Sequence, residues 1–397
     1  MVLVVGLLLI AVLMLLGTTA VLTSTTDMKI SANYKTSQQA FYDADAGVNF
    51  AIGTMEAGLK ASPQTFSLPT SVGGTSTITY TVPSGFSFSI SDITMLAANA
   101  YSFTSTGSGP NNTHAVVIAT FSVAGLFNYG IFGDLGVTLN GNGKSDSYNS
   151  SVGPYTWATH NTEGDVGTNS TNAGAISLSG NAEVYGDAQV GVGGNPTTGV
   201  TTSGNAAVNG QELAADEPKD MTPMTDPGGG TPETLNISGN NSKTLNSGTY
   251  RLPSISIRGN AIGNISGDVT LYVTGNTSIS GNGRLNILPG GSLTIYVSGT
   301  VSISGNGITN STALPENLII YGTSTCTNVR ISGNGNIYGA IHAPAAGVSV
   351  TGNGDIYGSI IGSTMTISGN GNIHYDEALQ NVGTSSDLKL LSWKQET

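Results

Sequence analysis

The chain has 397 residues, of which only 9% are charged, and a formal net charge of −12. Twelve Lys and Arg in so long a chain exclude a nucleic-acid partner, because neutralising phosphates needs clustered basic residues. Low charge with abundant Gly, Asn, Ser and Thr suits an extracellular all-β chain rich in tight turns. Cys326, the single cysteine, excludes an intrachain disulfide and reads as a small buried residue in or near a strand. No Cys-x-x-Cys-His occurs, so no covalent haem is indicated.

Residues 1–26 carry no charged side chain and begin MVLVVGLLLIAVLMLLG. An apolar run of about 20 residues is long enough to span a bilayer as a helix. A secretory signal would start with Lys or Arg, so the run reads as the start of a processed chain whose basic leader is gone. Between Asp27 and Lys60 the spacing of Phe41, Ala44, Val48, Ala51, Ile52 and Met55 predicts a one-sided helical stripe. One long helix follows, apolar all round and then one-sided, about 80 Å long at ~1.5 Å per residue. Gly17-Thr18-Thr19 and Thr23 to Thr26 predict a break or a stretched segment near residues 17–26, since Gly and β-branched residues lower helix propensity.

This region resembles type IV pilin-like proteins, most closely the PilX-type N-terminal region. The matching residues are Leu3 to Leu16, Gly17-Thr18-Thr19-Ala20, Lys29-Ile30-Ser31-Ala32-Asn33, and Gln39-Ala40-Phe41-Tyr42-Asp43-Ala44-Asp45-Ala46-Gly47. The last segment carries one extra residue, Asp43, relative to the family's Ala-Phe-x-Ala-(Glu/Asp)-Ala. The resemblance implies a helix that anchors the subunit in the inner membrane and then packs into a filament core. Met1, Val2, Leu3, Val5, Leu8, Val12, Leu15, Gly17 and Phe41 are the implied assembly residues. Most pilins carry a glutamate a few residues in, which neutralises a neighbouring subunit's free amine; Val5 stands at the matching position here, as PilX-like relatives also tend to lack it.

Residues 59–130 read as a small antiparallel sheet packed on the second half of the helix. Its expected strands are Thr77 to Val82, Phe86 to Ile90, Ala100 to Thr104 and Ala115 to Phe121, with a turn at Gly109-Pro110-Asn111-Asn112.

From residue 131 a motif recurs: apolar, then hydroxyl, then Gly-Asn(-Gly). Its clearest copies start at Ile279, Ile303, Ile331, Val350 and Ile367, spaced by 24, 28, 19 and 17 residues. Earlier copies include Leu139-Asn140-Gly141-Asn142 and Leu178-Ser179-Gly180-Asn181. Repeats of this length indicate a solenoid. The apolar residue points in, the hydroxyl out, and Gly-Asn-Gly turns the corner, since Gly and Asn accept φ > 0 at low cost. Stacking would place Asn above Asn as a hydrogen-bonded ladder. The expected fold is therefore a long N-terminal α-helix, a small pilin-like antiparallel sheet and a parallel β-helix. The organisation is helix 1–58, sheet 59–130, a less regular β-rich lead-in 131–235, β-helix 236–379 and tail 380–397. Within the lead-in, acidic and Pro/Gly-rich residues 212–234 read as a flexible solvated loop, with coverage of a solenoid face or contact with a neighbouring subunit as the alternatives. Residues 373–379 break the repeat and read as a cap on its open end.

Catalytic residues are not indicated. Asp268, Asp355, His342 and Arg330 are scattered, and His342 and His374 read as turn or cap residues. No cofactor is expected. Calcium on Glu163, Asp165, Asp134, Asp146 and Asp187 is the one alternative weighed, without an EF-hand or calcium repeat to support it. The function expected is a structural subunit of an extracellular type IV pilus-like filament, with no enzymatic activity. Its partners are copies of itself, the inner membrane before assembly and the pilus assembly machinery, with external surfaces or glycans beyond these. The alternatives are a minor or tip pilin or adhesin, or an anchored glycan-binding or glycan-cleaving β-helix.

Overall fold

The computed structural model describes residues 2–60, 66–69, 71–97, 99–382 and 384–396. The chain forms two compact units, one of residues 1–123 with 386–397 and one of residues 124–385.

In the first unit, helix α1 runs unbroken from Val2 to Lys60. The expected break at residues 17–26 is absent. Each threonine there bonds back into its own helix: Thr18 Oγ1 donates to the Met14 carbonyl at 2.9 Å, Thr19 to Leu15 at 2.7 Å, Thr23 to Thr19 at 2.9 Å and Thr26 to Leu22 at 2.8 Å. These hydroxyls find acceptors inside the helix, which offsets their weak intrinsic preference for it.

The second half of α1 buries Ala40, Ala44, Val48, Ala51, Met55 and Leu59, with Phe41 and Ile52 at the margins. The stripe packs on a sheet built of Thr75–Ser76, Ile93–Ala97, Ala100–Gly109, Thr113–Gly125 and Thr384–Glu396, in that order. Phe88–Ile90 pairs beside Ala100–Gly109. Tyr101, Phe103, Val117, Ala119 and Phe121 line its buried side. Glycines allow the close seating: a Cβ at Gly107 would collide with the Ala40 carbonyl and the Ala44 amide, and one at Gly47 with Ser105 Oγ.

Two expectations fail here. Thr77 to Val82 forms no strand; Ile78 is buried and the Tyr80 hydroxyl accepts the Ile90 amide at 2.7 Å, so side-chain anchoring replaces a ladder. The presumed tail 380–397 contains a sheet strand, Thr384–Glu396, whose Leu388 packs on the unit's core and whose Trp393 meets Phe41 at 5.2 Å.

The second unit is a stack of parallel three-sided coils, the pairing pattern of a parallel β-helix. Its interior is a continuous column of Ile, Leu and Val, because each coil alone leaves its apolar side uncovered. At the first corner glycines such as Gly239, Gly259, Gly281 and Gly305 hold φ near +70°. The asparagines beside them bond from coil to coil, as in Asn260 to Asn240 at 2.9 Å and Asn370 to Asn353 at 2.8 Å.

The coils do not stack in chain order. Along the first side the strands run 235–237, 255–257, 277–279, 301–305, 328–333, 347–352 and 364–369, and then 136–141, 176–180 and 200–204. The chain therefore joins the stack in its middle, builds outward to residue 214, and crosses back to start again at residue 231. It finishes against its own first coil. Met365 pairs with Val137, Ile367 with Leu139 and Gly369 with Gly141, and Asn142 donates to Asn370 at 2.7 Å across this junction.

This order corrects three expectations. Residues 131–214 are coils in full register rather than an irregular lead-in, because their Leu-(Ser/Asn)-Gly-Asn corners match those of the C-terminal copies. Residues 373–379 cap no open end: Ile373–Asp376 is an inner strand, flanked by 356–357 and 145–148. The segment 212–234 is no free loop. Glu212–Ala214 and Thr231–Pro232 are strands, and the strap between them covers the third side. There Met221 and Met224 pack on a second apolar layer that includes Phe127, Tyr321, Ile361 and Tyr375. The strap is tied down by Lys219 Nζ, which donates to the Leu126 carbonyl at 2.8 Å, and by Asp226, which pairs with Arg251 at 2.7 Å.

Candidate functional site

The first half of α1 carries the largest exposed apolar surface among the described residues. Leu3, Val5, Leu8, Val12 and Leu15 are all exposed, Leu3 at 83% and Leu15 at 70%. Gly17 has no heavy atom within 4 Å of the place a Cβ would occupy. The exposure continues around the helix through Val4, Leu7, Leu13 and Leu16, so no single face is set aside for the chain's own sheet. The helix is long and apolar enough to cross a membrane, by length and composition. Val2 is helical, and Met1 lies outside the described residues.

Phe41 differs from the other proposed assembly residues. It sits at the edge of the first unit's core and meets Trp393 edge-on, so part of its ring is already used within the subunit. Asp43, the extra residue of the motif, is 4% exposed, and its Oδ1 accepts from Gln39 Nε2 at 3.3 Å. The sequence places Asp43 in the motif, and its one sign of burial is its position three residues beyond Ala40, on the seated stripe.

The residues weighed for catalysis or calcium separate into different surroundings. Asp134 accepts from Asn169 Nδ2 at 2.8 Å, and Asp268 from Ser292 Oγ at 2.8 Å. Arg330 is exposed on the first side. Glu163, Asp165 and Asp187 line one cleft with Tyr185 and Asn209. Asp165 Oδ1 accepts the Asp187 amide at 2.7 Å. Burial, assisted by the charges of Asp187 and Glu163, raises the Asp165 carboxyl to about 6. No group of three or more His, Cys, Asp or Glu side chains is placed to hold a metal among the described residues. Cys326 is fully buried, and burial pushes its thiol up.

Neither His342 nor His374 is a turn or cap residue; both lie in strands. His342 is fully buried on the third side between Phe127 and Tyr321, with no hydrogen-bond partner for either ring nitrogen. Burial, with the nearby Lys219 charge, lowers it to about 3. His374 is buried at the junction of the two halves of the stack. Its Nδ1 lies 2.5 Å from Asp146 Oδ1, its Nε2 lies 3.8 Å from Asp355 Oδ2, and its ring lies beneath Tyr357. Burial pulls this imidazole down, but its bonds to Asp146 and Asp355 outweigh that and raise it. Tyr155 donates its hydroxyl to the other Asp146 oxygen at 2.7 Å. These groups satisfy one another, so the cluster reads as a joint in the fold.

Comparison with known proteins gives two family matches. Residues 1–49 match the PilX N-terminal family. Residues 220–382 match a family described as a domain of unknown function, DUF7305. No curated protein matches the chain. Among solved structures, the competence-associated pilin ComZ from Thermus thermophilus is 12% identical, with 91% of this chain and 98% of that chain covered. The TM-score is 0.26, too low for that superposition to bear on the fold.

Proposed function

We infer, from a type IV pilin-like chain of the PilX N-terminal type, that this protein is a structural subunit of an extracellular pilus-like filament. One observation carries the reading. The chain's own sheet takes only residues 40–59 of α1, and the apolar residues before them are left uncovered on every face. A helix apolar all round needs either lipid or other apolar helices about it. The inner membrane supplies the first before assembly, and a core of identical helices supplies the second afterwards. Helix packing then holds the polymer, and the β-rich units are displayed outside. The role is structural; neither catalysis nor a bound cofactor enters it. The assembly machinery of such filaments is the expected partner.

A second reading, a minor or tip subunit, rests on Val5. With no carboxylate among residues 2–26, the helix offers nothing to a neighbour's amine, which suits a special position in the filament.

Electron cryo-microscopy of filaments sheared from native cells tests both. A helical lattice of this chain, with residues 1–55 in the core, supports the first. Filaments that lack the chain along their length, but carry it at one end, support the second. Filaments without it at either place overturn both.

A further inference from the structure

The β-helix ends in two open coils. One consists of Val200–Gly204, Ala207–Val208 and Glu212–Ala214, each paired with a single strand. The other has Leu235–Ile237 and residues 242–246, again with one neighbour each, and the short strand Thr231–Pro232 on the third side. Along the first side every strand between these ends has a neighbour on both edges. The end strands therefore keep a row of backbone groups that no strand receives. The apolar interior is open at the same two places. Ala206, Val208, Ala214 and Ile237 are only partly buried, whereas their counterparts one coil in, Ala182, Val184, Val190 and Ile257, are fully buried. The asparagine column also has a direction. Asn260 donates to Asn240, Asn282 to Asn260, Asn370 to Asn353, Asn181 to Asn142 and Asn205 to Asn181, so the donor always lies nearer the 214 end. Among the described residues, Asn205 Oδ1 is left without a donor at that end, and Asn240 Nδ2 without an acceptor at the 231 end.

We propose that the β-helix stacks end to end on a second copy of this chain, the coil at 200–214 of one copy meeting the coil at 231–246 of the next. The molecule already makes this kind of joint once. Residues 364–376 and 136–148 come from distant parts of the chain and meet edge to edge, with Gly369 opposite Gly141 and Asn142 donating to Asn370 at 2.7 Å. Ser-Gly-Asn stands at both free ends, at 203–205 and at 238–240. The same register there sets Val200 opposite Leu235, Thr202 opposite Ile237 and Ser203 opposite Ser238. Asn240 of the next copy then donates to Asn205 and continues the column in its own direction. A single foreign strand would cover one side and leave the interior open; a second copy covers sides and interior together. The 231 end carries a restraint. Lys243 occupies an inward position, in register with Gly263 and Leu285, and its Nζ pairs with Glu233 and donates to the Thr234 carbonyl, each at 2.7 Å. Pro232 has no amide hydrogen to offer at this edge. Inward charges and edge prolines discourage edge pairing. Glu233 neutralises the lysine, so the contact is weakened and not barred. Free subunits then stay apart when dilute, and stacking takes hold where copies are crowded. Because the contact joins unlike ends, it repeats in open rows and does not close on a pair.

The inference does not rest on filament assembly through α1. The test uses the full chain in detergent, at rising concentration and under mild oxidation, carrying Ser203→Cys and Ser238→Cys together. Both positions are exposed. Within one copy they lie about 43 Å apart, nine coil steps of about 4.8 Å, too far for a disulfide. Across the joint their Cα atoms lie about 4.8 Å apart, within disulfide reach. Covalent trimers and longer chains should appear and should increase with concentration. Neither single variant can pass beyond a dimer, because Cys326 is fully buried. Adding Thr202→Lys, at an exposed position opposite Ile237, should abolish the longer chains while circular dichroism is unchanged. Adding Lys243→Met with Glu233→Gln, which removes the restraint, should increase them. Absence of trimers from the double cysteine variant at every concentration overturns the proposal. So does an equal yield from Ser302→Cys with Ser238→Cys, since Ser302 lies in mid-stack.

Discussion

His374 and Asp146 lie 228 residues apart in the chain and 2.5 Å apart in the fold. They face each other where the last strand of the coils, Ile373–Asp376, pairs with Lys144–Tyr148 of the first coils. A buried ion pair thus sits at the point where the stack closes on itself, and its worth depends on both charges being present.

Removing one partner of a buried pair leaves the other charge uncompensated, at a cost of about 3 to 5 kcal/mol. His374→Gln should therefore destabilise the second unit, with the larger loss below neutral pH. The folded imidazole is raised above its unfolded value of about 6.5. Its contribution is then fully present below that value and is lost as pH rises through the folded one. The thermal stability of the parent should fall on the alkaline side, and His374→Gln should flatten that slope. An unchanged slope in the variant would show that the pair does not set it.

His342 works with the opposite sign. Its folded value is lowered to about 3, so its contribution is present above about 6.5 and is lost as pH falls from there toward 3. Both ring nitrogens are buried without partners, and each unmet group costs about 1 to 3 kcal/mol. His342→Leu, of similar size among Phe127 and Tyr321, should raise stability at pH 5 and flatten the acid limb. Loss of stability at pH 5 in this variant would contradict the assignment.

The helix and the coil repeat are both legible in the sequence, for a shared reason. Each is written in local patterns: the three-and-four spacing through Ala44, Val48, Ala51 and Met55, and the Ile-Ser-Gly-Asn-Gly corner. The order of the coils is not legible. Copies of one motif pair almost equally well in parallel register, so nothing at Leu139-Asn140-Gly141 tells that its neighbour is Ile367-Ser368-Gly369 rather than a copy next in sequence. That ambiguity hid the His374–Asp146 pair and turned an inner strand into an apparent cap. The strap was misread for a related reason. Met221 and Met224 are too isolated in sequence to signal the apolar layer they cover. At the other end of the chain, the threonines of α1 lower intrinsic helix propensity but not the stability of a helix whose carbonyls accept their hydroxyls.

Gly107 tests how α1 is seated. A Cβ there meets backbone atoms of Ala40 and Ala44, which have no flexible end to move aside. Gly107→Val should cost about 3 kcal/mol, the upper range for overpacking, because helix and strand must separate. Gly53, on the same helix with nothing within 4 Å, supplies the contrast. Gly53→Ala should be neutral or stabilise by up to about 1 kcal/mol through helix propensity alone. Equal melting temperatures for the two variants in detergent would rule out close packing as the reason for glycine at position 107.

Leu8 tests the assembly helix itself. It is exposed in the subunit, so no intramolecular contact is lost when it changes. A lysine at the centre of a membrane-spanning helix costs about 2.5 to 3.5 kcal/mol on insertion scales, and a dry core of packed helices imposes a similar desolvation on every subunit. Leu8→Lys should therefore leave the melting of the two β-rich units unchanged and abolish sheared filaments. Leu8→Met keeps the volume and the apolar character and should restore them. The informative comparison is filament yield at matched cellular levels of the chain, since failed insertion lowers the amount of subunit as well as its assembly. Undiminished filaments from Leu8→Lys would place this residue outside the core and remove α1 from the assembly mechanism.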